Sequence, residues 1–342
     1  MKTITAQERD LILVSLNEGL TLLAPGVLEK DLLLSDVLRT IAESDTGPLK
    51  LVFCGGTSLS KAHGVIDRMS EDIDFKIETP QGLSKNGRSK LLSNFKKNLI
   101  ISLTESGFVI PPEKVIARAE NNYIGLDLEY RSDFSPVDSL RPIIQLEFNA
   151  NAPSLPTTKQ PLSTILDGLL QKARGQTNSN TLCTIDCISL EETIAEKVIS
   201  FLRRTAQAQA GRNRGAYDTR LVRHLYDVHA ITQKFPNLIL PYDHFASLVI
   251  SDGQQFRNQY PEFETDPIGP MRQVLNSLQN DKAAFEAAYK DFVSKLVFGA
   301  PVSYHDAASA FLTAAESLVD YADQMGDSDV CQPNTVSIPR QS

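Results

Sequence analysis

The chain has 342 residues and a formal net charge of −8 at pH 7, and its hydrophobic fraction of 42% is ordinary for a globular protein of about two domains. No apolar run is long enough to cross a membrane, so we expect a cytoplasmic protein with no membrane partner. The acidic balance argues against non-specific coating of nucleic acid, so an RNA substrate would have to meet a local basic patch. The four cysteines form no CxxC pair, which argues against a zinc site or a disulfide framework.

The first half of the chain alternates between helical and strand-like patterns. Residues 7–45 and 84–107 repeat apolar side chains at three- and four-residue steps, which predicts helices. A short helix is predicted over 57–63. Strands are predicted at four places where short apolar or alternating runs are bounded by turn residues, namely 49–54, 72–77, 123–130 and 142–148. These patterns predict one mixed sheet with flanking helices.

The second half reads as nearly all helix from about Ile188. Ser189 and Glu192 have the spacing of a capping box at the start of a helix that runs to about Thr205. A polar loop is predicted over 206–218, and further helices over 219–232, 281–298 and 304–325. We therefore predict an α+β fold with three segments: a mixed-sheet domain with N-terminal helices over 1–185, a helical domain over 186–325, and a disordered tail over 326–342.

The stretch FCGGTSLSKAH, which begins at Phe53, places a glycine pair between a buried strand and a helix. Glycine lets a phosphate approach the backbone because no Cβ atom stands in the way, and the start of a helix offers free N–H groups. Thr57 and Ser58 add hydroxyl donors there. We predict that Gly55, Gly56, Thr57 and Ser58 bind the triphosphate of a nucleotide, although a glycine pair alone is equally typical of a simple turn.

Two aspartates follow in the predicted strand DIDFKI. Asp72 and Asp74 are two residues apart, so their side chains point to one face while Ile73 and Phe75 point into the core. Neighbouring carboxylates repel each other unless a cation lies between them, and Mg²⁺ prefers one or two carboxylates together with substrate phosphates. We therefore predict that Asp72 and Asp74 are metal ligands and catalytic residues. Asp-x-Asp alone is often a solvated strand edge, but its spacing from the glycine pair favours phosphoryl or nucleotidyl transfer.

A third carboxylate is expected on a neighbouring strand. Glu147 in IIQLEF is our choice, because Ile144, Leu146 and Phe148 would face the core and leave Glu147 on the opposite face. Asp127 and Glu129, in the predicted strand over 123–130, are the alternative candidates for the third carboxylate. An ordinary solvated strand residue is the alternative interpretation of Glu147.

The motifs GGTSLSK and RMSEDIDF, together with EKDLLLSDVL upstream and LEETIAEKVISFLRR and RHLYDVH downstream, resemble those of the AbiEii/AbiGii-type nucleotidyltransferase toxins of the DNA polymerase β-like superfamily. The resemblance covers about residues 25–235. It implies a nucleotidyltransferase domain followed by a helical domain, transfer of a nucleotide from an NTP with Mg²⁺ (or Mn²⁺), a tRNA 3′ end as acceptor, blocked translation, and a cognate antitoxin encoded nearby in an abortive-infection system.

The same resemblance implies roles for four further residues. Lys61, Arg68 and Lys197 match expected triphosphate contacts, and Asp227 matches a later catalytic acid. From the sequence pattern alone, a lysine at position 197 is more often part of a solvated helix face. Asp227 follows Arg223 by four residues, so a surface helical pair explains it too.

A basic segment lies between residues 203 and 224, and we predict that its arginines bind the RNA backbone: Arg203, Arg204, Arg212, Arg214, Arg220 and Arg223. A solvated helix–loop–helix surface is the alternative. The function predicted is thus a toxin that transfers nucleotides to RNA. Two other functions use the same site: nucleotidylation of a protein or small molecule, and a catalytically silent nucleotide-binding regulatory module. The sequence gives no indication of oligomeric state.

Overall fold

The structure, a computed structural model, describes residues 1–175, 183–213 and 215–330. The chain divides into two compact units. The first comprises Met1–Thr193 and Phe292–Pro301, and the second comprises Ile194–Asp291 and the chain from Val302 onward. The helix that contains the boundary at residue 193 begins in the first unit and continues into the second.

The described part of the first unit contains a seven-stranded mixed sheet with the strand order β3-β4-β5-β2-β1-β7-β6. The strands are β1 (Lys50–Cys54), β2 (Asp72–Glu78), β3 (Val115–Arg118), β4 (Tyr123–Glu129), β5 (Ile143–Asn149), β6 (Thr158–Pro161) and β7 (Thr184–Cys187). Strand β2 runs antiparallel to β1 and parallel to β5. This register places Asp74 opposite Cys54 on one side and opposite Glu147 on the other.

One face of this sheet is packed with aromatic side chains. Phe53, Phe75 and Phe148 are fully buried, and the rings of Phe75 and Phe148 stack with centroids 5.3 Å apart. Phe95 from a covering helix meets Phe148 edge-on at 5.4 Å. Because side chains alternate along a strand, burial of Ile73 and Phe75 commits Asp72 and Asp74 to the other face.

The helices of the first unit are α1 (Ala6–Asn17), α2 (Pro25–Glu43), α3 (Gly55–Lys61), α4 (Lys85–Glu105) and α5 (Ile165–Arg174). Helix α2 buries leucine and valine side chains over most of its length and is central to the core. Helix α6 (Leu190–Gln209) contains the boundary between the units.

The described part of the second unit is helical. Its helices are α6 from Ile194, α7 (Arg223–Lys234), α8 (Tyr242–Phe256), α9 (Pro261–Thr265), α10 (Ile268–Asn280), α11 (Ala283–Leu296) and α12 (Tyr304–Val330). The part of α11 after Asp291 belongs to the first unit. Phe201 of α6 is buried against Phe311, with ring centroids 5.0 Å apart. Within the described ranges, no helix is long and apolar enough to span a membrane.

These observations confirm the predicted fold class, a mixed sheet with flanking helices followed by helical structure. The capping box is only half formed: the backbone N–H of Glu192 donates to Ser189 Oγ at 3.1 Å, but the Glu192 carboxylate binds Lys76 Nζ at 2.6 Å instead. The predicted disordered tail over 326–342 falls mostly on residues 331–342, which lie outside the described residues, and α12 continues to Val330.

Candidate active site

The carboxylates of Asp72 and Asp74 lie on the open face of β2. Both residues are half-buried, and Ile73 between them is fully buried. The Asp72 side chain keeps 30% of its exposure. Two acids are therefore presented side by side, held by a strand whose opposite face is fixed in the core.

Gly55 brings the backbone directly against the second of these acids. It follows β1 at once and has φ +75°, in the left-handed region that favours glycine. A Cβ atom at this position would collide with Asp74 Oδ2. The glycine bend and the acidic pair predicted from sequence are therefore in contact, and any larger side chain at residue 55 would displace the carboxylate.

Gly56 makes a similar close approach to Arg68. A Cβ atom at Gly56 would stand 2.6 Å from Arg68 Nη2 and 2.8 Å from Ser70 Oγ. Arg68 is almost fully buried, and its Nη1 donates to the carbonyl of Met69 at 3.0 Å. The structure thus places Arg68 against the glycine pair, and its contact with a triphosphate stays a prediction.

Glu147 joins the acidic face from β5. Burial raises the pKa of the Glu147 carboxyl, and the negative charge of Asp72 raises it further, while a hydrogen bond with Tyr123 acts in the opposite direction. The competing acids lie on β4, one strand further from β2: Asp127 faces Gln145 in the register and Glu129 faces Ile143. Glu147 is the acid directly opposite Asp74, and the register favours it as the third carboxylate.

Arg141 is a site residue that the sequence analysis missed. Its Nη1 donates to Asp72 Oδ1 at 2.7 Å and to Gln145 Oε1. The residue precedes β5 in a loop and is separated from Asp72 by 69 positions. Nothing in the local pattern around Arg141 signals this contact, which only the parallel pairing of β2 and β5 creates.

Three side chains of the predicted nucleotide loop point elsewhere. Thr57 and Ser58 are 0% and 1% exposed, and Thr57 Oγ1 donates to the backbone carbonyl of Asp72. Lys61 Nζ binds Asp31 Oδ1 at 2.7 Å, Ser35 Oγ at 2.7 Å and the carbonyl of Asp31 at 2.9 Å. An ammonium has three donors, and these contacts engage all three, so the expectation that Lys61 contacts the triphosphate is not supported. Tertiary packing of α3 on β2 and α2 accounts for the difference.

Lys197 and Asp227 lie in the second unit and form an ion pair, with Lys197 Nζ 2.6 Å from Asp227 Oδ2. Lys197 is 7% exposed and Asp227 is fully buried, so neither is the solvated surface residue that composition alone would suggest. Neighbouring His224 has its pKa lowered well below the ordinary value, by burial first and then by the charge of Lys197.

The predicted arginine patch is largely engaged with acids of its own unit. Arg203 is 7% exposed, its Nε lies 2.5 Å from Asp252 Oδ2, and its guanidinium lies over the ring of Phe256 at 3.7 Å. Burial accounts for this departure from the predicted surface role of Arg203. The other described arginines pair as follows: Arg204 and Arg220 with Asp218, Arg212 with Glu262, and Arg223 with the carbonyl of Arg220. Arg214 lies outside the described residues.

The donor set on the sheet fits a divalent cation in one respect. Asp72, Asp74 and Glu147 are oxygen donors on one face, and the pKa of Glu147 responds to the charge of Asp72, so a cation there would relieve repulsion. Within the described ranges, no three His, Cys, Asp or Glu side chains are arranged as a ready-made metal site. A cation at Asp72 and Asp74 would therefore need further oxygens from a substrate, as is common for Mg²⁺.

The mixed sheet places an acidic pair against a glycine bend, which is the arrangement that the sequence motifs predicted for transfer of a phosphoryl or nucleotidyl group. The sequence profile of the family described as "Nucleotidyl transferase AbiEii toxin, Type IV TA system" matches residues 36–316. The chain therefore belongs to the AbiEii family of nucleotidyltransferase toxins, which confirms the resemblance seen in the sequence. Membership of a toxin–antitoxin family implies an antitoxin partner.

Solved structures extend the comparison of folds. The chain is similar to MenT4, a nucleotidyltransferase toxin from Mycobacterium tuberculosis H37Rv, with 18% identity, a TM-score of 0.50, and coverage of 94% of this chain and 96% of that chain. It is also similar to a candidate nucleotidyltransferase from H. pylori, with 14% identity, a TM-score of 0.42, and coverage of 89% and 99%. The first of these likenesses supports the fold alone. No curated protein matches the chain.

Proposed function

We propose that this enzyme transfers a nucleotide from an NTP to an RNA acceptor, the 3′ end of tRNA, and so blocks translation in the cytoplasm. One observation carries the proposal: the carboxylates of Asp72 and Asp74 lie together on the open face of β2, in contact with the bend at Gly55. A phosphate can approach this bend because no Cβ atom intervenes. RNA as the acceptor rests on the family resemblance.

Asp72 and Asp74 are the residues that would hold a divalent cation, Mg²⁺ or Mn²⁺, with Glu147 as the third carboxylate. The chemistry that such a cation supplies when bound is charge neutralisation at the reacting phosphate and polarisation of the attacking hydroxyl. The chain contributes a fixed geometry: Thr57 Oγ1 donates to the carbonyl of Asp72 and fastens the start of α3 to the acidic strand. Backbone N–H groups at Gly55 and Gly56, rather than the Thr57 and Ser58 hydroxyls, would receive the triphosphate.

Arg68 is proposed as a cation that stabilises the bound triphosphate, because its guanidinium stands against Gly56. Lys197 and Asp227 are proposed to act in catalysis as a pair, since the ion pair of 2.6 Å fixes the lysine ammonium. For the acceptor, the arginines that remain at least 40% exposed are the best candidates for phosphate contact: Arg204, Arg212 and Arg220. Arg203 has a structural role instead.

The test is incubation of the purified protein with each of four labelled NTPs, Mg²⁺ or Mn²⁺, and total tRNA. We expect label to enter RNA with at least one NTP, and to be lost when the acceptor's 3′ hydroxyl is oxidised beforehand. Label on protein or on a small molecule instead of RNA would contradict the RNA acceptor. Absence of incorporation with every NTP and both metals would contradict the proposed reaction.

Toxicity and its control are tested in cells. Expression of the chain is expected to arrest growth, and co-expression of the gene product encoded next to it is expected to restore growth. Growth arrest by an Asp72→Asn/Asp74→Asn variant at the same protein level would show that the toxic effect does not depend on nucleotide transfer.

A further inference from the structure

Arg141 is tied to the acidic face from two directions. Through its side chain, Nη1 binds Asp72 Oδ1 at 2.7 Å and also Gln145 Oε1. Through its backbone, the N–H donates to Glu71 Oε2 at 2.9 Å and the carbonyl accepts from Lys30 Nζ at 2.7 Å. Arg141 is therefore held at both its main chain and its guanidinium, next to the proposed metal ligand.

The main-chain anchor is a buried ion pair. Lys30 Nζ lies 2.6 Å from Glu71 Oε2, and the two side chains are 0% and 8% exposed. Removal of either partner would leave an uncompensated buried charge, so this pair fixes the position of the Arg141 backbone firmly. Glu71 immediately precedes Asp72, so the same anchor sets the distance between the loop that carries Arg141 and the acidic strand.

The guanidinium itself is only partly used. Arginine has five N–H donors spread over three nitrogens, and the side-chain hydrogen bonds of Arg141 to described residues are made through Nη1. Its side chain keeps 28% of its exposure. Nε and Nη2 are thus available to a ligand on the open face, and the fork geometry of arginine suits phosphate oxygens.

The charge of the Arg141 guanidinium affects the binding of both the divalent cation and the NTP. A positive guanidinium on Asp72 opposes the approach of a divalent cation to the same carboxylate, because like charges repel. The triphosphate of an NTP attracts both the guanidinium and the divalent cation. Once the nucleotide is present, the triphosphate can replace Asp72 as the counter-ion of Arg141. The fixed backbone and the long side chain allow the guanidinium to change partners without movement of the loop.

We propose that Arg141 exchanges partners during nucleotide binding: it pairs with Asp72 in the free enzyme and passes to the triphosphate when NTP and cation bind. The exchange rests on the proposed function, because it assumes that Asp72 and Asp74 form the site for the NTP and its cation. It makes Arg141 a triphosphate-binding residue that also keeps the cation site weak until a nucleotide arrives.

The experiment measures two ligands separately on the full chain. Mn²⁺ binding without nucleotide is followed by electron paramagnetic resonance, and NTP binding without metal by fluorescence of a labelled nucleotide. For Arg141→Gln we expect the Kd for Mn²⁺ to fall several-fold and the Kd for NTP to rise about tenfold or more, the size of a lost charge-assisted hydrogen bond. Arg131→Gln is the matched control, since Arg131 lies in the same connection between strands and is 70% exposed.

Opposite shifts of the two affinities distinguish the exchange from a structural role, which would weaken both. Any other combination of shifts for Arg141→Gln, including two unchanged affinities, overturns the proposal. Wild-type protein that binds no NTP in the presence or absence of Mn²⁺ would overturn the proposed function as well. Wild-type binding with variants that do not follow the expected pattern would overturn the exchange alone.

A second variant keeps the test decisive if Arg141→Gln is unstable. Asp72→Asn frees Arg141 from its counter-ion, so metal-free NTP is expected to bind several-fold more tightly than to wild type. Asp74→Asn removes the same charge from the same strand and serves as the comparison. A gain in Asp72→Asn no larger than in Asp74→Asn overturns the exchange.

Discussion

The carboxylate face of the first unit and the arginine-rich segment of the second unit distribute their charges differently. On β2 and β5, Asp72 and Glu147 have the same sign, and the repulsion between them contributes to the raised pKa of Glu147. Along residues 203–223, opposite charges meet at Asp252, Asp218 and Glu262. Arg141 pairs with Asp72 and offsets part of this negative charge, and a cationic ligand would offset more of it, whereas the charges of the second segment already lie against opposite charges. We therefore expect functional effects to concentrate on the carboxylate face.

The largest effect is expected for Asp72→Asn and Asp74→Asn. Each removes a proposed metal ligand, and metal ions supply several kcal/mol to such reactions, so nucleotide incorporation should fall by about a thousandfold or more. Glu78→Gln is the matched control, because it removes an exposed acid from the same strand. Incorporation rates and thermal midpoints are measured together. Full activity in either aspartate variant would contradict the expectation that functional effects concentrate on the carboxylate face.

The next effect concerns the buried pair of the second unit. Lys197→Met removes the ammonium that pairs with the buried carboxylate of Asp227, which should cost about 3–5 kcal/mol of unfolding free energy. The double variant Lys197→Met/Asp227→Leu should recover much of this loss, as measured by denaturant unfolding. If Lys197 acts in catalysis as proposed, the double variant is stable and inactive. A stable and active double variant would give the pair a purely structural role.

Glu147→Gln tests whether Glu147, rather than an acid on β4, is the third carboxylate of the site. We expect a loss of about ten- to a hundredfold in incorporation if Glu147 assists at the site, against less than threefold for Asp127→Asn. Because burial and Asp72 raise the pKa of Glu147, the ionised carboxylate destabilises the fold at pH 7, and Glu147→Gln should raise the thermal midpoint there. A larger loss of activity in Asp127→Asn than in Glu147→Gln would reverse the assignment.

The pH dependence of the same residue sharpens this test. A raised pKa means that Glu147 takes up its proton at a higher pH than an ordinary glutamate, so activity that needs the carboxylate falls as pH drops through that raised value. Tyr123→Phe removes a hydrogen bond that favours the ionised form, so the acidic limb of the pH–rate profile should move to higher pH. An acidic limb at the same pH in Tyr123→Phe as in wild type would contradict a role of the Glu147 carboxylate in the reaction.

The smallest effects are expected for the exposed arginine pairs. Arg220→Gln removes a contact of 3.4 Å with Asp218 in which both side chains are exposed by about a third or more, and such pairs contribute about 0–1 kcal/mol. If Arg220 contacts RNA, the KM for the acceptor should rise two- to fivefold and the salt dependence of binding should weaken. An unchanged salt dependence in Arg204→Gln, Arg212→Gln and Arg220→Gln would move the RNA contact elsewhere.

Much of the carboxylate face could be predicted because its signals are local. Two-residue alternation along DIDFKI sets the faces of β2, and the glycine pair marks the end of β1 in the sequence itself. The strands β3, β6 and β7 were missed because each has only four residues and depends on pairing with other strands. Helix α5 was missed although ILDGLLQKAR repeats apolar side chains at helical spacing and follows a capping box of Thr164 and Asp167.

The contacts made by long charged side chains could not be predicted in the same way. Arg141 reaches Asp72 across 69 positions, and Lys61 turns to Asp31 in α2 instead of to the glycine bend. Arg203 looks like a surface residue in the sequence but stacks on Phe256. In each case the partner is set by tertiary structure, and a pattern of residue types along one segment carries no record of it.

The central claim is that Asp72 and Asp74 hold the cation of an NTP against the bend at Gly55. The most direct measurement is a crystal structure with Mn²⁺ and a non-hydrolysable NTP analogue, with the metal located by anomalous scattering. We predict a Mn²⁺ peak coordinated by both aspartates and by triphosphate oxygens beside Gly55 and Gly56. A nucleotide bound elsewhere on the chain, or Mn²⁺ coordinated without Asp72 and Asp74, would contradict the account.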